Sequence, residues 1–547
     1  MFADYFESIY VKDDVEGDYF DEIYKNEPVN AIEINLSMLD IDAAIKKLKE
    51  KGSAGPDNLS PIIMKKCAES LVWPLWILHQ KSMELGKISS KLKISRVVPE
   101  FKKGDKTDIK NYRITAISSV ILRIYEIATQ DKLLLIVNPQ MKNAQHGFRP
   151  RRSVVTNLMN LSIAAHEAFA NKQQLDVFYG DFQNAFDKLV HRIFIQKAWT
   201  FRIGKKTAKW LFEFLTGRKF FVKIGVYESR IYESTSGVIP GSILGPITFL
   251  IYINDIVDCV VDAMVLLFAD DIKMMMQIST LAETTCLQSD INNVIEWSER
   301  NRLPFNKAKC NIITYRRITN FHNASYMTGD HKIERKEELR DLGLLVDQQM
   351  TFGSQMEQLT TKSRQSMGYI KWISKGQFGT RALKVLYTSY VRSKLEFGSV
   401  IWDPYTDVYR ADIESIQKQF VMYALGDTNR VPPYRLLPYE ERCQKLGLET
   451  LSVRRKQAIS MMAYDCYNGV ISDENINRNF IRQNQHTVLR HNKLLRERLY
   501  LNDYGYNQPL AKIIRRVNEC SEHMTLNRCK FKIELKKKLR EEKTDEM

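Results

Sequence analysis

The sequence predicts an α+β protein with a helical C-terminal part, and three observations carry that prediction. The β-prone stretch Leu175–Tyr179 runs through Gly180 into Asp181, and residues 184–199 then read as helical. The apolar run Val260–Ala269 is followed by Asp270-Asp271 and by Ile272–Ile278, the order of a buried β-hairpin with two acids at its tip. From about residue 353 onward the pattern is mainly helical, so strands and helices alternate irregularly only in the middle of the chain.

Other elements follow from local signals. Leu39, Ile41, Ala44, Ile45 and Leu48 predict a short amphipathic helix over 38–50, ended by Gly52 and a Gly-Ser-Ala-Gly-Pro-Asp loop. Residues 94–103 predict a strand that carries its lysines into the turn Gly104-Asp105. Leu287, Ile291, Val294 and Ile295 mark a helix packed on one face.

Length and composition bound the class. A chain of 547 residues exceeds the size of a single core, roughly 250–300 residues, and predicts several domains. Hydrophobic content of 44% with 27% charged residues fits a folded, soluble protein. The longest apolar runs, Leu71–Leu78 and Leu244–Ile253, fall short of the ~20 residues that span a bilayer, and the N-terminus has no secretory pattern. Eight scattered cysteines without a CxxC pair argue for a reducing compartment and against a disulfide or zinc scaffold.

The net charge of +16 is unevenly distributed. Residues 1–40 hold eleven acids and two bases, leaving +25 on the remainder, with +10 on residues 41–150. A basic surplus of this kind suits a polyanionic partner, although a solvated basic surface gives the same count. The acidic head reads either as a mimic of nucleic acid folded over the basic groove or, as the preferred expectation, as a flexible remnant.

Adjacent carboxylates at the end of apolar strands repel one another and are costly to desolvate without a cation. Asp181, Asp270 and Asp271 converging from neighbouring strands would suit two Mg²⁺ ions about 3.5–4 Å apart, the arrangement of phosphoryl transfer. A lone Asp-Asp pair is more often a solvated turn, and Asp13-Asp14 is one such pair. The strongly apolar flanks set the second pair apart.

These residues carry a resemblance. Asp181-Phe182-Gln183-Asn184-Ala185-Phe186-Asp187 and Phe268-Ala269-Asp270-Asp271 resemble the palm motifs of reverse transcriptases, closest to the jockey-like non-LTR (LINE-type) group. Ser53–Asp57, Val98–Asp105, Asn111-Tyr112-Arg113 and Gln145–Arg149 are similar to the family's fingers segments. Ser236-Gly237-Val238 with Gly241–Pro246, Leu303–Asn306 with Lys309, Asp341-Leu342-Gly343, Leu395–Gly398 with Trp402, and Ile413–Gln417 follow in the family's order over about residues 30–460.

The resemblance implies a right-hand polymerase. Its expected limits are an acidic segment 1–35, fingers 36–165, palm 166–350, helical thumb 351–460 and a basic helical extension 461–547. The implied activity is RNA-directed DNA synthesis from a primer 3′-hydroxyl, with an RNA template, a DNA primer or target, dNTPs and two Mg²⁺ ions. By resemblance, Asp181, Asp270 and Asp271 hold the metals. Lys103 and Arg113 meet the triphosphate, the choice between Lys102 and Lys103 staying open. Lys309 approaches the pyrophosphate as a candidate general acid in the family's manner, and an ordinary surface lysine is its equal alternative. Phe186 lies beneath the sugar and favours dNTPs, and Gly241 lies in the nucleotide-binding loop.

Two departures stand out. Pro240 replaces the family's usual glutamine and Ile114 its usual proline, which sets the alternative of a catalytically impaired nucleic-acid-binding protein. An RNA-directed RNA polymerase shares the Asp-Asp hairpin, but Phe186 opposes it. No endonuclease fits in residues 1–40 and no RNase H motif set appears in the tail, so a fragment of a longer reading frame or a derived gene is expected. The family's priming on chromosomal DNA implies nuclear action, with assembly in the cytoplasm and no membrane partner.

Overall fold

The computed structural model describes the chain except for residues 13–18, 427–436, 483–492, 501 and 546–547. Nine strands position the site: β1 Ile94–Phe101, β2 Tyr112–Ile117, β3 Gln174–Gly180, β4 Arg218–Ile224, β5 Tyr227–Glu228, β6 Tyr232–Ser234, β7 Met264–Phe268, β8 Asp271–Ile278 and β9 Asn311–Tyr315. One sheet runs β2-β1-β4-β5, with β6 also on β4. β1 lies parallel to β4 and antiparallel to β2. The other sheet has the order Glu334–Lys336, β9, β3, β8, β7.

The second sheet is buried on both faces, and its residues alternate between two cores. Phe178, Met274, Ile312 and Leu267 face the first core, together with helices including Val120–Val137 and Leu281–Arg300. Val177, Met275, Ile313 and Leu266 face the second, which contains Val154–Ala170 and the C-terminal helices. Burial on both sides explains why these strands read as continuous apolar runs rather than as alternating ones.

The mixed α+β class and the helical C-terminal part agree with the sequence. Helix starts follow capping chemistry. Ser37 accepts from Asp40 N at the head of Met38–Lys47, and Glu283 accepts from Thr280 N at 2.9 Å at the head of Leu281–Arg300.

Several local expectations need correction. The predicted helix over 184–199 is two helices, Ala185–Lys188 and His191–Thr200, because the chain turns at Leu189-Val190 to bury both side chains. The first hairpin strand starts at Met264 rather than Val260. The backbone amides of Val261, Asp262 and Ala263 instead donate to the Asp290 carboxylate at 2.8, 3.0 and 2.8 Å, which holds them in a turn.

The start of the acidic head is packed rather than a loose remnant. Phe2–Ile9 is a helix whose Ala3 and Phe6 are buried with Val97, Phe220, Val222 and Tyr232. Asp4 accepts from the Tyr232 hydroxyl at 2.6 Å. Farther on, Glu33 accepts from Lys206 N and Thr207 N at 2.9 and 2.8 Å, capping the helix Lys205–Leu215. Aromatic contacts within an otherwise acidic stretch are the physical reason: Phe2 and Phe6 have an apolar sheet face to cover.

All eight cysteines are free thiols. Among the described residues no helix is long and apolar enough to cross a membrane.

Candidate active site

β3 and β8 are antiparallel with Gly180 opposite Ile272, so the next residue outward on each strand is Asp181 and Asp271. β7 and β8 close their hairpin at Phe268 opposite Asp271, leaving Ala269 and Asp270 as the two-residue turn. The three acids thus gather at one end of one sheet.

Neighbouring segments hold each strand end. Asn306 N donates to Asp181 O at 2.7 Å and Gln183 N to Pro304 O at 2.9 Å, while Phe182 stacks on Phe305 with centroids 4.2 Å apart. Ala269 has φ +56°, a left-handed conformation that favours glycine. It is held there by the buried Gln145 side chain: Oε1 accepts from Ala269 N at 2.9 Å, and Nε2 donates to Ala269 O at 3.3 Å.

The electrostatics are those of negative charge that is only partly compensated. Burial first, and then the charge of Asp270, push the Asp271 carboxyl up to about 6. Asp270 is also raised, by burial and by Asp181, against partial relief from its own backbone amide, Lys102 and Lys309. Lys309 Nζ lies 2.9 Å from Asp181 Oδ2. Among the described residues no set of three or more His, Cys, Asp or Glu side chains forms a ready-made metal cage. The donor chemistry nevertheless fits a hard divalent cation: carboxylate oxygens, two of them on groups whose pKa is raised by burial and by neighbouring carboxylates.

Of the other predicted residues, Lys309 and Lys102 are tied to the acids, and the rest are placed as follows. Arg113 on β2 faces Glu100 on β1 and donates to its two oxygens at 3.2 and 2.9 Å, and Thr115 Oγ1 adds a bond at 3.0 Å. Lys102 and Lys103 are both exposed at the end of β1, and it is the charge of Lys102 that reaches Asp270. Phe186 stacks on Phe249 with centroids 4.4 Å apart and meets the exposed Phe148 edge-on at 6.4 Å.

Gly241 has φ +86° and lies in a loop anchored at both ends. Pro240 O accepts from Ala116 N at 3.3 Å, and the Glu126 carboxylate accepts from Ile243 N at 2.6 Å and Leu244 N at 3.2 Å. The carbonyl of Pro240 therefore does structural duty although its nitrogen cannot donate.

Glu126 and Gln145 are supporting residues that sequence reasoning missed. The signal for Glu126 is a fully buried acid inside the apolar helix Val120–Val137. Gln145 lay within a quoted motif but had no assigned task.

Comparison with known proteins agrees with this geometry. Residues 101–368 match the family described as "Reverse transcriptase (RNA-dependent DNA polymerase)". The "RNA-directed DNA polymerase from mobile element jockey" of Drosophila melanogaster is 24% identical over 367 residues, covering 63% of this chain and 38% of that protein. The "Probable RNA-directed DNA polymerase from transposon BS" of the same species is 24% identical over 382 residues, covering 66% and 42%. The chain thus spans about two fifths of the length of these curated relatives. A solved structure of apo telomerase from Candida Tropicalis, truncated from its C-terminal domain, is similar with a TM-score of 0.35 and 12% identity over 48% of this chain and 54% of that one. Over residues 101–368, just under half of its length, the chain matches the reverse transcriptase family, and the relatives it resembles are polymerases of mobile elements such as jockey.

Proposed function

We propose that the protein copies retrotransposon RNA into DNA by extending a primer 3′-hydroxyl with dNTPs. The observation that carries this reading is the antiparallel register that sets Asp181 beside the hairpin acids. The right-hand division follows: fingers 36–165, palm 166–350, thumb 351–460 and a basic extension 461–547 behind an acidic segment 1–35. Action on chromosomal DNA places the working site in the nucleus, with assembly in the cytoplasm.

Asp181, Asp270 and Asp271 would hold two Mg²⁺ ions, which when bound supply charge neutralisation at the attacking and leaving oxygens. The protein's own part is positioning. Lys309, now on Asp181, is within reach of a pyrophosphate leaving from the same end of the sheet. Arg113 sits in an exposed pair with Glu100, a weak bond that a triphosphate can replace with a stronger bidentate one. Lys102 or Lys103 adds charge, and Gly241 lets the backbone approach the nucleotide.

Extension of oligo(dT) on poly(rA) with dTTP or UTP in Mg²⁺, beside Asp270→Ala, tests the reading. DNA synthesis lost in the variant supports it. Template binding without synthesis means an impaired binding protein, and UTP incorporation means an RNA polymerase.

The rigid backing of Phe186 by Phe249 supports a steric role toward the sugar. Phe186→Val is expected to lower dNTP-over-rNTP selectivity by roughly 10–100-fold, read from single-nucleotide extension. Unchanged selectivity assigns Phe186 to the core alone. Binding of RNA is expected to weaken roughly 10³-fold between 50 and 200 mM salt if about six or more phosphates are neutralised; a flat response in a filter-binding titration rejects the basic groove.

A further inference from the structure

Three stretches distant in sequence meet behind the Asp-Asp hairpin. Residues 144–147 lie along the outer edge of β7: Leu267 N donates to Ala144 O at 2.8 Å and His146 N to Leu267 O at 2.9 Å. The Gln145 side chain closes on Ala269 just before the two acids. On the other side of this segment lies Ser472-Asp473, 321 residues beyond Arg152.

Arg152 pairs with the Asp473 carboxylate, both side chains almost fully buried, and also donates to Ser472 O at 2.6 Å and Asn143 Oδ1 at 3.1 Å. Asn160 Nδ2 donates to Asp473 at 2.9 Å, and Ile476 N does so at 3.1 Å. The His146 ring lies 3.6 Å from Asp473 on one side and bonds Thr156 Oγ1 at 2.8 Å on the other.

A buried ion pair is no better for stability than apolar packing of the same volume, and its best-attested use is to fix one arrangement among several. Here the fixed partner is the segment that holds the hairpin. Asp473 lies well beyond residue 368, where the reverse transcriptase match ends.

We propose that Asp473 is a positioning residue for the polymerase centre: through Arg152, which also holds Asn143, and by packing against the neutral His146 ring, it seats residues 144–147 against β7, and so sets where Asp270 and Asp271 stand. The C-terminal region is thereby a working part of the centre rather than an appended grip. The catalytic half of this inference rests on the reading of Asp270 and Asp271 given above; the structural half does not.

Asp473→Asn in the full chain tests it by hydrogen exchange of the peptide spanning 264–273 and by steady-state extension. Exchange in that peptide is expected to rise about 10-fold. kcat is expected to fall roughly 10-fold, with KM for dTTP within about twofold of the wild type. Gln145→Ala is expected to give the same exchange and to add little when combined with Asp473→Asn, since both cut one chain of contacts. Unchanged exchange over 264–273, with protection lost only around residues 154–170 and 451–467, overturns the proposal and leaves a simple clamp between helices. If Asp473→Asn does not fold, Asp473→Glu, with its charge one methylene farther out, carries the same reading. Exchange decides the buttress, and synthesis by the wild-type chain decides the function, so the two failures are distinguishable.

Discussion

Asp271→Asn is expected to abolish DNA synthesis and at the same time to stabilise the fold. Loss of a metal-holding carboxylate should cost ~10³-fold in rate, about 4 kcal/mol of transition-state stabilisation. Stability moves the other way because burial and the neighbouring Asp270 oppose ionisation, raising the Asp271 carboxyl from 3.8 to about 6. A group raised on folding favours the folded state while it is protonated. That contribution is complete below about pH 3.8 and is lost as pH rises through about 6. At pH 7 the wild-type chain therefore carries a penalty that the neutral amide removes, a gain kept small because the Asp271 side chain is exposed to screening by water. At pH 4 the two proteins should melt together. Millimolar Mg²⁺ at pH 7 should raise the Tm of the wild type and leave the variant nearly unmoved. Primer extension and thermal melts at the two pH values check all of this. Synthesis within tenfold of wild type, or a variant less stable at pH 7, contradicts the carboxylate-cluster account.

Gly147→Ala is expected to lower both stability and rate. A Cβ at this position would stand 2.4 Å from Ala269 N, 3.0 Å from Phe268 C and 3.2 Å from Ala269 Cα. All three are backbone atoms of the hairpin, so no side-chain rotation relieves the contact. The hairpin must shift, and Gly147 N loses its 2.8 Å bond to Gln145 Oε1. Overpacking of this kind costs about 1–3 kcal/mol, and an ångström-scale displacement of the acids lowers kcat about 10²-fold. Chemical denaturation and extension assays measure the two effects. A fully active variant means that residues 144–147 do not set the position of the acids.

The parts of this architecture that were legible in the sequence share one cause. β3, β7 and β8 are buried on both faces, so their sequences are rich in apolar residues, and acids ending such runs stand out. Asp181 and Asp270-Asp271 could be singled out on that ground, and family resemblance assigned roles to Lys309, Phe186 and Gly241. What could not be read depends on long-range contacts. Val260 and Val261 look like strand residues until Asp290 is brought against their backbone. Gln145 has no visible task until Ala269 folds onto it. Arg152 and Asp473 look like two ordinary charges, because neither residue's neighbours in sequence reveal that the pair is buried. The helix Phe2–Ile9 was obscured by its acids, which face outward while Phe6 faces the sheet.

The order of strands in the central sheet also has a consequence for biogenesis. β3 is flanked by β8 and β9, so its two neighbours are translated about a hundred residues after it. At about 5–20 residues per second a ribosome needs several seconds or more to cover that distance, and during it β3 is an unpaired apolar segment. High contact order makes such a sheet slow to close and exposed to aggregation while open. A nascent chain therefore has no assembled catalytic end until the ribosome has passed residue 315, and chaperone engagement should be concentrated on the interval between 180 and 271.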